Sequence, residues 1–214
     1  MAISVCGIDP GYTGGLSIFL ENSLDAPLVY KMPVIKTVKK VNGKKKTKQN
    51  YDLLEIRRIF KKNLNKNTIF AVEKVSSMPR EGSVSSFNFG FGCGSLEGLI
   101  IGLFDKKPLL VTPQKWKKEF PELITDEMLI IKAEMKELRL VDKTLKDKKT
   151  KKENKKHIDK LGRQFKSLAK TEARKLVSKL YPGLSGRLIK KNTDGLAESL
   201  LLAVYARDNY SMLV

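Results

Sequence analysis

The sequence predicts an α/β domain built on a mixed, five-stranded sheet flanked by helices. Three short, apolar segments come first, at residues 3–9, 16–20 and 28–32, and turn residues separate them. Helical and extended segments then alternate along the chain, an order typical of α/β domains. The chain has 214 residues and is 41% hydrophobic, which is enough to bury one core. We therefore expect a single domain over residues 1–214.

The next elements follow from hydrophobic periodicity and from turn residues. In chain order the sequence predicts a lysine-rich loop at 33–50, a helix at 51–63, a strand at 68–73, a polar loop at 76–89, an apolar helix at 92–104, a strand at 108–112 and a short helix that starts at Pro113. The strand at 68–73 is apolar on both faces, which is typical of a central strand with parallel neighbours. Within the lysine-rich loop, the Asn42-Gly43 pair is a hairpin-turn signal.

The last third of the chain is predicted to be helical. A charged helical insertion covers 126–165, and its lysine-rich end has the composition of a segment that is disordered or folds only on a partner. A further helix is expected at 168–180. The last one is expected at 193–209, with Asn192 or Thr193 as its N-cap.

The charge of the chain is strongly positive and concentrated in two runs. Lys and Arg number 42 against 23 Asp and Glu, so the formal net charge is +19. Residues 36–48 contain seven Lys and no acid, and residues 142–156 contain eight Lys and three acids. The rest of the chain still carries +7. Such a field makes nucleic acid the expected partner, with a solubilising surface as the alternative.

Several protein classes are excluded by composition. Cys6 and Cys93 are too few for a disulfide scaffold and, with one His, too few for a zinc site. The apolar stretch at 99–104 is too short to span a bilayer, and residues 1–8 lack signal-peptide features. We expect a cytoplasmic protein, at a nucleoid or viral replication site, or an organelle-matrix protein if the chain is a processed form. Any metal would be held by carboxylates, which favours Mg²⁺ or Mn²⁺.

Four carboxylates lie where a solvated surface does not explain them. Asp9 and Glu73 each end an apolar strand, and the carboxyl ends of parallel strands meet at one edge of a sheet. Asp194 and Glu198 lie four residues apart on the last predicted helix, and therefore on one face. Taken singly, each acid also has a structural explanation: a turn cap for Asp9, a surface acid at a strand end for Glu73, an interaction with the helix dipole for Asp194 and an ion pair with a lysine for Glu198. If the four carboxylates lie close together, they repel one another. Two bound divalent cations would relieve this repulsion, and such a pair of cations is common in enzymes that cleave phosphodiesters.

Four blocks of sequence, in this order, resemble the RuvC family of Holliday-junction resolvases, nearest its bacteriophage and chloroplast branch. They are Gly7-Ile-Asp-Pro-Gly-Tyr-Thr-Gly-Gly-Leu16, Ala71-Val-Glu-Lys74, Pro113-Gln-Lys-Trp-Lys-Lys-Glu-Phe120 and Asp194-Gly-Leu-Ala-Glu-Ser-Leu-Leu-Leu-Ala203. The resemblance covers most of the chain outside residues 33–50 and 126–165. The first block alone also resembles actin-like ATPases, but the helical block favours the nuclease.

The resemblance implies an RNase H-like fold, a homodimer, Mg²⁺ and paired symmetric incisions across a four-way DNA junction. Asp9, Glu73 and Glu198 match the family's catalytic acids. Asp194 takes the remaining position, although its spacing to Glu198 is one residue longer than in bacterial members. Lys117 matches a basic residue near the scissile phosphate.

Further DNA contacts are expected from basic and aromatic residues near these blocks, namely Lys74, Arg80, Lys115, Lys118, Phe87 and Phe89. Lys115 and Lys118 are close enough to Lys117 to be alternatives for its role. The residues after Glu73 lack the aromatic that bacterial members place three positions on, so Phe87, Phe89 or Met78 is the expected wedge at the junction centre.

Glycines recur every four residues at Gly90, Gly94, Gly98 and Gly102. Because Gly costs up to ~1 kcal/mol inside a helix, the stripe indicates a close approach. The approaching group is a second subunit, a DNA phosphate at the N-terminal end of the helix, or the sheet of the same subunit.

Together these observations predict a metal-dependent endonuclease that resolves four-way DNA junctions as a homodimer. One alternative is an RNase H-like nuclease acting on flaps, forks or RNA–DNA hybrids. The other is a catalytically silent junction-binding protein.

Overall fold

The centre of the protein is a mixed sheet. A computed structural model describes residues 3–41, 43–74, 82–188 and 193–209. In chain order its strands are β1 Val5–Asp9, β2 Gly15–Leu20, β3 Ser23–Lys31, β4 Val34–Val41, β5 Lys44–Tyr51, β6 Ile69–Glu73 and β7 Leu109–Val111. Five of them form one sheet in the order β3-β2-β1-β6-β7. β1, β2 and β3 pair antiparallel, whereas β6 pairs parallel with both β1 and β7.

The helices lie on both faces of this sheet, which confirms the predicted α/β class. In chain order they are α1 Leu53–Asn63, α2 Ser83–Phe104, α3 Pro113–Lys117, α4 Asp126–Thr144, α5 Lys148–Leu180, α6 Ser185–Leu188 and α7 Asp194–Asp208. Short 3-10 turns occur at Pro121–Leu123 and Pro182–Leu184. Thr193 is the N-cap of α7, and Asn192, the other candidate cap, lies outside the described residues.

The lysine-rich segment forms a separate two-stranded antiparallel ribbon of β4 and β5. Val34 pairs with Tyr51 at its base, and Val41 pairs with Lys44 at its tip. Gly43 has a φ of 73°, a left-handed conformation that glycine adopts without strain. The hairpin signal is therefore confirmed, although Asn42 lies outside the described residues. The prediction of a loop over 33–50 is wrong for most of its length.

Two predicted boundaries are also corrected. Tyr51 ends β5 and does not begin a helix, because Asp52 caps α1 by accepting a hydrogen bond from the Glu55 N–H at 3.0 Å. The polar loop predicted over 76–89 is wrong from Ser83 onward, since α2 starts there. Its first turns were missed because serine and asparagine separate the apolar side chains.

The charged insertion is a helical hairpin of α4 and α5, which pack along each other. The two helices predicted at the end of the insertion and at 168–180 are one helix, α5, because residues 148–180 contain no proline and only Gly162 weakens the pattern. Asp147 caps it by accepting from the Thr150 N–H at 2.7 Å. The lysine-rich end of the insertion is thus the helical start of α5.

The core has two layers, one on each face of the sheet. Alternate strand residues face α7 and the end of α5, and this layer includes Val5, Phe19, Ala71, Trp116, Val177 and Leu200. The other strand residues face α1 and α2, and that layer includes Ile8, Ile18, Phe70, Phe60, Leu96 and Ile100. The period of two along each strand therefore decides which helix a strand residue meets.

Helix α2 is long and apolar enough over Ser86–Phe104 to cross a membrane, judged by length and composition alone. Mean hydropathy averages over the whole segment, whereas the sequence prediction considers only a continuous apolar stretch. Glycine and polar residues interrupt the segment, so its continuous apolar stretches are short. In this fold the helix buries Leu96, Ile100 and Phe104 against the sheet, while most of the segment is not buried.

Candidate carboxylate site

Helix α7 lies unusually close to the sheet. A Cβ placed on Gly7 of β1 would collide with the backbone of Ser199 and Ala203. The buried hydroxyls of Ser17 and Ser199 are 2.8 Å apart and form a hydrogen bond across this contact. Because Gly7 has no side chain, α7 can cross β1 at short range, and this carries Glu198 to the carboxyl end of the strand.

Asp9 is held by the glycine-rich turn that follows it. Its Oδ1 accepts a hydrogen bond from the Gly11 N–H at 2.9 Å, and the Gly14 N–H donates to the Gly11 carbonyl at 2.8 Å. A Cβ on Gly14 would meet the carbonyl oxygen of Asp9, and one on Gly195 of α7 would meet Gly14. These glycines therefore let the turn and α7 pack directly on the backbone that carries Asp9.

Asp9 and Glu73 end neighbouring parallel strands. Gly7 is paired with Ala71 in the register of β1 and β6, and two residues further on that register places Asp9 beside Glu73. Both acids follow the alternation of Gly7 and Ala71, so both lie on the face of the sheet that α7 covers. The sequence prediction that these two strand ends meet agrees with this arrangement.

The short helix α3 holds two of the carboxylates. Thr112 caps it, and Pro113 occupies its first turn. The buried indole of Trp116 donates its N–H to Oε1 of Glu73 at 3.0 Å. The next residue, Lys117, places its ammonium 2.8 Å from Oε1 of Glu198 and 4.9 Å from the centre of the Trp116 ring.

Burial and mutual repulsion raise the pKa of these acids. Desolvation raises the pKa of Asp9 to about 7; the Gly11 N–H opposes this shift, and the charges of Glu198 and Glu73 add to it. The pKa of Glu73 is also raised, first by burial, while the hydrogen bond from Trp116 lowers it and the charge of Glu198 raises it. The charge of Lys117 lowers both values. Asp9, Glu73, Glu198 and Lys117 thus form one electrostatic unit, hereafter the carboxylate site.

Asp194 lies one helical turn before Glu198 and contacts α5 instead. Its Oδ2 is 3.3 Å from the ammonium of Lys170, and its Oδ1 is 3.4 Å from Nε of Arg174. The structure therefore brings three of the four predicted acids together and gives the fourth two cationic partners. The assignment of Asp194 as a metal ligand stays a prediction.

The residues predicted to contact DNA differ in their exposure to solvent. Lys74, Lys115 and Lys118 are exposed, whereas Lys117 points into the carboxylate site. Phe87 is 72% exposed and Phe89 is half-buried. Arg80 and Met78 lie outside the described residues.

Two aromatic residues at the site, and a third on the exposed face of α2, are not singled out by the sequence. Trp116 is the only tryptophan of the chain and precedes the predicted catalytic lysine, a signal that would have pointed to it. The hydroxyl of Tyr51 donates to the carbonyl of Pro10, directly after Asp9, and no local pattern predicts that contact. Phe91 is 69% exposed and its ring stacks on that of Phe87 at 6.4 Å.

A pocket of about 310 Å³ opens beside the carboxylate site, between β6, β7 and α2. Glu73, Lys74, Cys93 and Glu97 are among its lining residues. Burial, with a smaller contribution from the charge of Asp9, raises the pKa of the Cys93 thiol to about 11. The thiol is therefore protonated at neutral pH, and the pocket offers space next to Glu73.

The donor chemistry of the site suits a hard cation, since three carboxylates supply only oxygen ligands and repel one another. Within residues 3–41, 43–74, 82–188 and 193–209, however, no three Asp, Glu, His or Cys side chains are arranged to hold a metal ion. The ammonium of Lys117 contacts Glu198, and Asp194 contacts α5. For Glu198 to become a ligand, its ion pair with Lys117 would have to open.

Comparisons with models of known protein families and with curated proteins find no match for this chain.

Proposed function

We propose that this protein is a divalent-metal-dependent endonuclease that resolves four-way DNA junctions by paired incisions. The observation that carries the proposal is the carboxylate site. Two strand ends and two helices bring three acids and one lysine together, in a chain whose formal net charge is +19. An acidic centre on a basic body suits a phosphodiester substrate, because the body attracts phosphates and the acids attract cations.

Each residue of the site has a distinct part in this proposal. Asp9, Glu73 and Glu198 would hold Mg²⁺ or Mn²⁺, with Asp194 as a fourth ligand once it leaves Lys170. A bound Mg²⁺ supplies the Lewis-acid chemistry of phosphodiester hydrolysis. Lys117 would exchange Glu198 for the scissile phosphate and stabilise the negative charge that develops there.

The fold supports the same proposal at a coarser level. The sheet has three antiparallel strands followed by two parallel ones, and a helix crosses the end where the acids lie. This arrangement is compatible with the RNase H-like fold that the sequence resemblance implies.

A homodimer is part of the proposal, because two symmetric cuts need two sites. Apart from Ser83 at the start of the helix, the residues of α2 that are described as exposed are apolar or glycine, namely Val84, Phe87, Gly90, Phe91, Gly94, Gly98, Ile101 and Gly102. A Cβ on any of these four glycines would meet no atom within 4 Å. Phe87, Phe91, Gly94, Gly98 and Ile101 alternate steps of four and three residues, the spacing of a helix–helix seam. A second copy of α2 is the proposed occupant.

The site assignment is tested with a panel of DNA substrates: a four-way junction, a flap, a fork, an RNA–DNA hybrid and a plain duplex. We expect the parent protein to cut the junction symmetrically in Mg²⁺. Asp9→Asn should bind the junction at least as well as the parent but not cut it. Cutting of flaps or hybrids alone would favour the other RNase H-like activity, and tight junction binding without any cutting would favour a silent binding protein.

Assembly is tested by sedimentation of the parent and of Gly94→Leu/Gly98→Leu. The parent should sediment near twice its monomer mass of 24.1 kDa. The variant should be monomeric and should lose paired cutting, while Gly162→Leu on α5 serves as a control for leucine at a helical glycine. A monomeric parent that still makes paired cuts would contradict the proposed dimer.

A further inference from the structure

The seven lysines of the β4–β5 ribbon are divided between its two faces. Three of them lie on the face that continues into Tyr51 at the base, and the register places Lys39, Lys44, Lys46 and Lys48 on the other face. Side chains alternate along each strand, so Lys36, Val38 and Lys40 share a face with Lys45, Thr47 and Gln49 on the paired strand. Lys40 and Lys45 lie directly opposite each other, and both are exposed. Like charges in directly opposed positions destabilise a ribbon that stands alone. A polyanion bound along this face would remove that repulsion.

The base of the same face is fixed next to the carboxylate site. Tyr51 belongs to this face by alternation, and its hydroxyl donates to the carbonyl of Pro10. Its ring lies 4.9 Å from that of Tyr12 and packs against Gly92 of α2. The Asp52 N–H donates to the Pro33 carbonyl at 2.9 Å and closes the base. The ribbon therefore leaves the body at a defined place beside Asp9.

We infer that the ribbon is a duplex-binding arm that lies in a groove of a DNA arm, with the face of Lys36, Lys40 and Lys45 toward the phosphates. A two-stranded ribbon is of the size that the major groove of B-DNA admits. The face carries three lysines, Thr47 and Gln49, and Val38 is the one exposed apolar residue described on it. This composition suits a nucleic acid better than a lipid surface. The choice of DNA as the nucleic acid rests on the proposed function.

The length of the ribbon sets where it acts. Six residues separate Tyr51 from Lys45, or about 20 Å at the rise of an extended strand. Duplex DNA rises 3.4 Å per base pair, so Lys40 and Lys45 reach about six base pairs from the carboxylate site. Lys36 is paired with Gln49, two residues from Tyr51, and reaches only about two base pairs. Most of the ribbon's contribution to affinity should therefore appear only when a DNA arm extends to about six base pairs or more.

The test compares Lys36→Gln/Lys40→Gln/Lys45→Gln with a control that removes the same charge elsewhere, Lys61→Gln/Lys62→Gln/Lys66→Gln. The control lysines are exposed and lie at the end of α1 and in the turn before β6, at the opposite edge of the sheet from Asp9. Binding is measured without divalent metal, by fluorescence anisotropy, on junctions with arms of 4 and 15 base pairs and on plain duplex.

With 15-base-pair arms, we expect the slope of log affinity against log salt to flatten by about 2 to 3 in the ribbon variant, at about 0.9 per lost phosphate contact. The control should keep the parental slope. With 4-base-pair arms only Lys36 reaches the DNA, so the slope of the ribbon variant should flatten by no more than about 0.9, the value for one phosphate contact.

Equal slopes for ribbon variant and parent would overturn the inference, as would equal effects of the two triple variants. Loss of binding to vesicles of anionic lipid, with DNA binding intact, would also overturn it and assign the arm to membranes. The readout does not depend on cutting: a parent that fails to cleave junctions while its ribbon still governs duplex affinity refutes the proposed function and leaves this inference standing.

Discussion

The ammonium of Lys117 lies 2.8 Å from Oε1 of Glu198. Lys117 belongs to a helix of five residues and Glu198 to α7, 81 positions further along the chain. The lysine is 37% exposed and the glutamate 20%, so solvent weakens the pair and neither group is locked. The lysine therefore competes with any cation for Glu198.

Replacing Lys117 by methionine separates its two roles. We expect Lys117→Met to lower the cleavage rate by roughly 100-fold or more, with a much smaller loss of junction affinity. Mg²⁺ affinity, measured by calorimetry on the free protein, should rise because the competing ammonium is gone. Lys118→Met, at an exposed neighbour, is the control. Equal losses of rate and affinity would reduce Lys117 to a phosphate contact, and a larger loss in Lys115→Ala would transfer the role there.

Trp116→Phe keeps an aromatic ring but removes the hydrogen bond to Glu73. That bond lowers the pKa of Glu73, so its loss should raise the pKa further. Glu73 would then ionise only at higher pH, and the acidic limb of the pH–rate profile should move to higher pH. Phe120→Leu disturbs the ring that packs edge-on against Trp116 and should leave the limb in place. An unshifted limb in Trp116→Phe would mean that Glu73 ionisation does not limit the reaction.

Asp9 should make the metal-free protein less stable at alkaline pH. Its folded-state pKa of about 7 lies above the ordinary value of 3.8, so the folded protein binds the proton more tightly than the unfolded chain. The protonated Asp9 carboxyl therefore stabilises the folded protein fully below about pH 4, and this stabilisation is lost as the pH rises to about 7. In EDTA, Asp9→Asn should therefore melt higher than the parent at pH 8, and by a smaller margin at pH 5. Each kcal/mol corresponds to about 2–4 °C for a chain of this size.

Asp147→Asn should change the thermal stability at pH 8 in the direction opposite to Asp9→Asn. Hydrogen bonds from Thr150 lower the pKa of Asp147, so this exposed cap stabilises α5 at neutral pH and loses its effect in acid. Its variant should melt lower than the parent at pH 8. An Asp9→Asn variant that also melts lower at pH 8 would contradict the burial of an ionised Asp9.

Asp194 is tested against its two cationic partners on α5. If Asp194 serves as a metal ligand, Asp194→Asn should abolish cleavage, whereas Lys170→Met/Arg174→Met should preserve it because the carboxylate remains. If the ion pair with α5 is its whole role, the two variants should lower melting temperature and cleavage alike. We expect the first pattern, read by junction cleavage together with thermal melting.

Gly7→Ala tests the close contact between β1 and α7. The added methyl would collide with Ser199 and Ala203, and such overpacking typically costs about 1–3 kcal/mol. Gly162→Ala is the matched control, because its Cβ meets only the flexible end of Met135 at 3.7 Å. That control should gain up to about 1 kcal/mol from helix propensity. Urea unfolding measures both, and a neutral Gly7→Ala would show that α7 can move away from the strand.

The strand ends of the site could be predicted because their signals are local. Asp9 and Glu73 each close a short apolar run, and the period of two decides their face of the sheet. Glu198 could be predicted for the same reason, because the apolar residues next to it on the helix are close in sequence. In each case a few neighbouring residues carry the information.

Other features depend on contacts that no local pattern contains. The bond from Trp116 to Glu73 spans 43 positions, and the ion pairs of Asp194 require α5 to pack beside α7. The sequence of the ribbon predicts a loop because lysine is a poor strand former, and only the pairing of the two strands with each other reveals the ribbon. The sequence does not indicate where α2 starts, because the serines there are equally common in loops and at helix ends.

The contact between Ser17 and Ser199 joins residues 182 positions apart, since α7 docks on the first strands of the sheet. During synthesis Asp9 and Ser17 are therefore made long before Glu198 and Ser199. A nascent chain that has not yet reached α7 has no complete carboxylate site. For a protein that we propose to cut nucleic acid, these shorter nascent chains are inert toward the RNA of the ribosome that makes them.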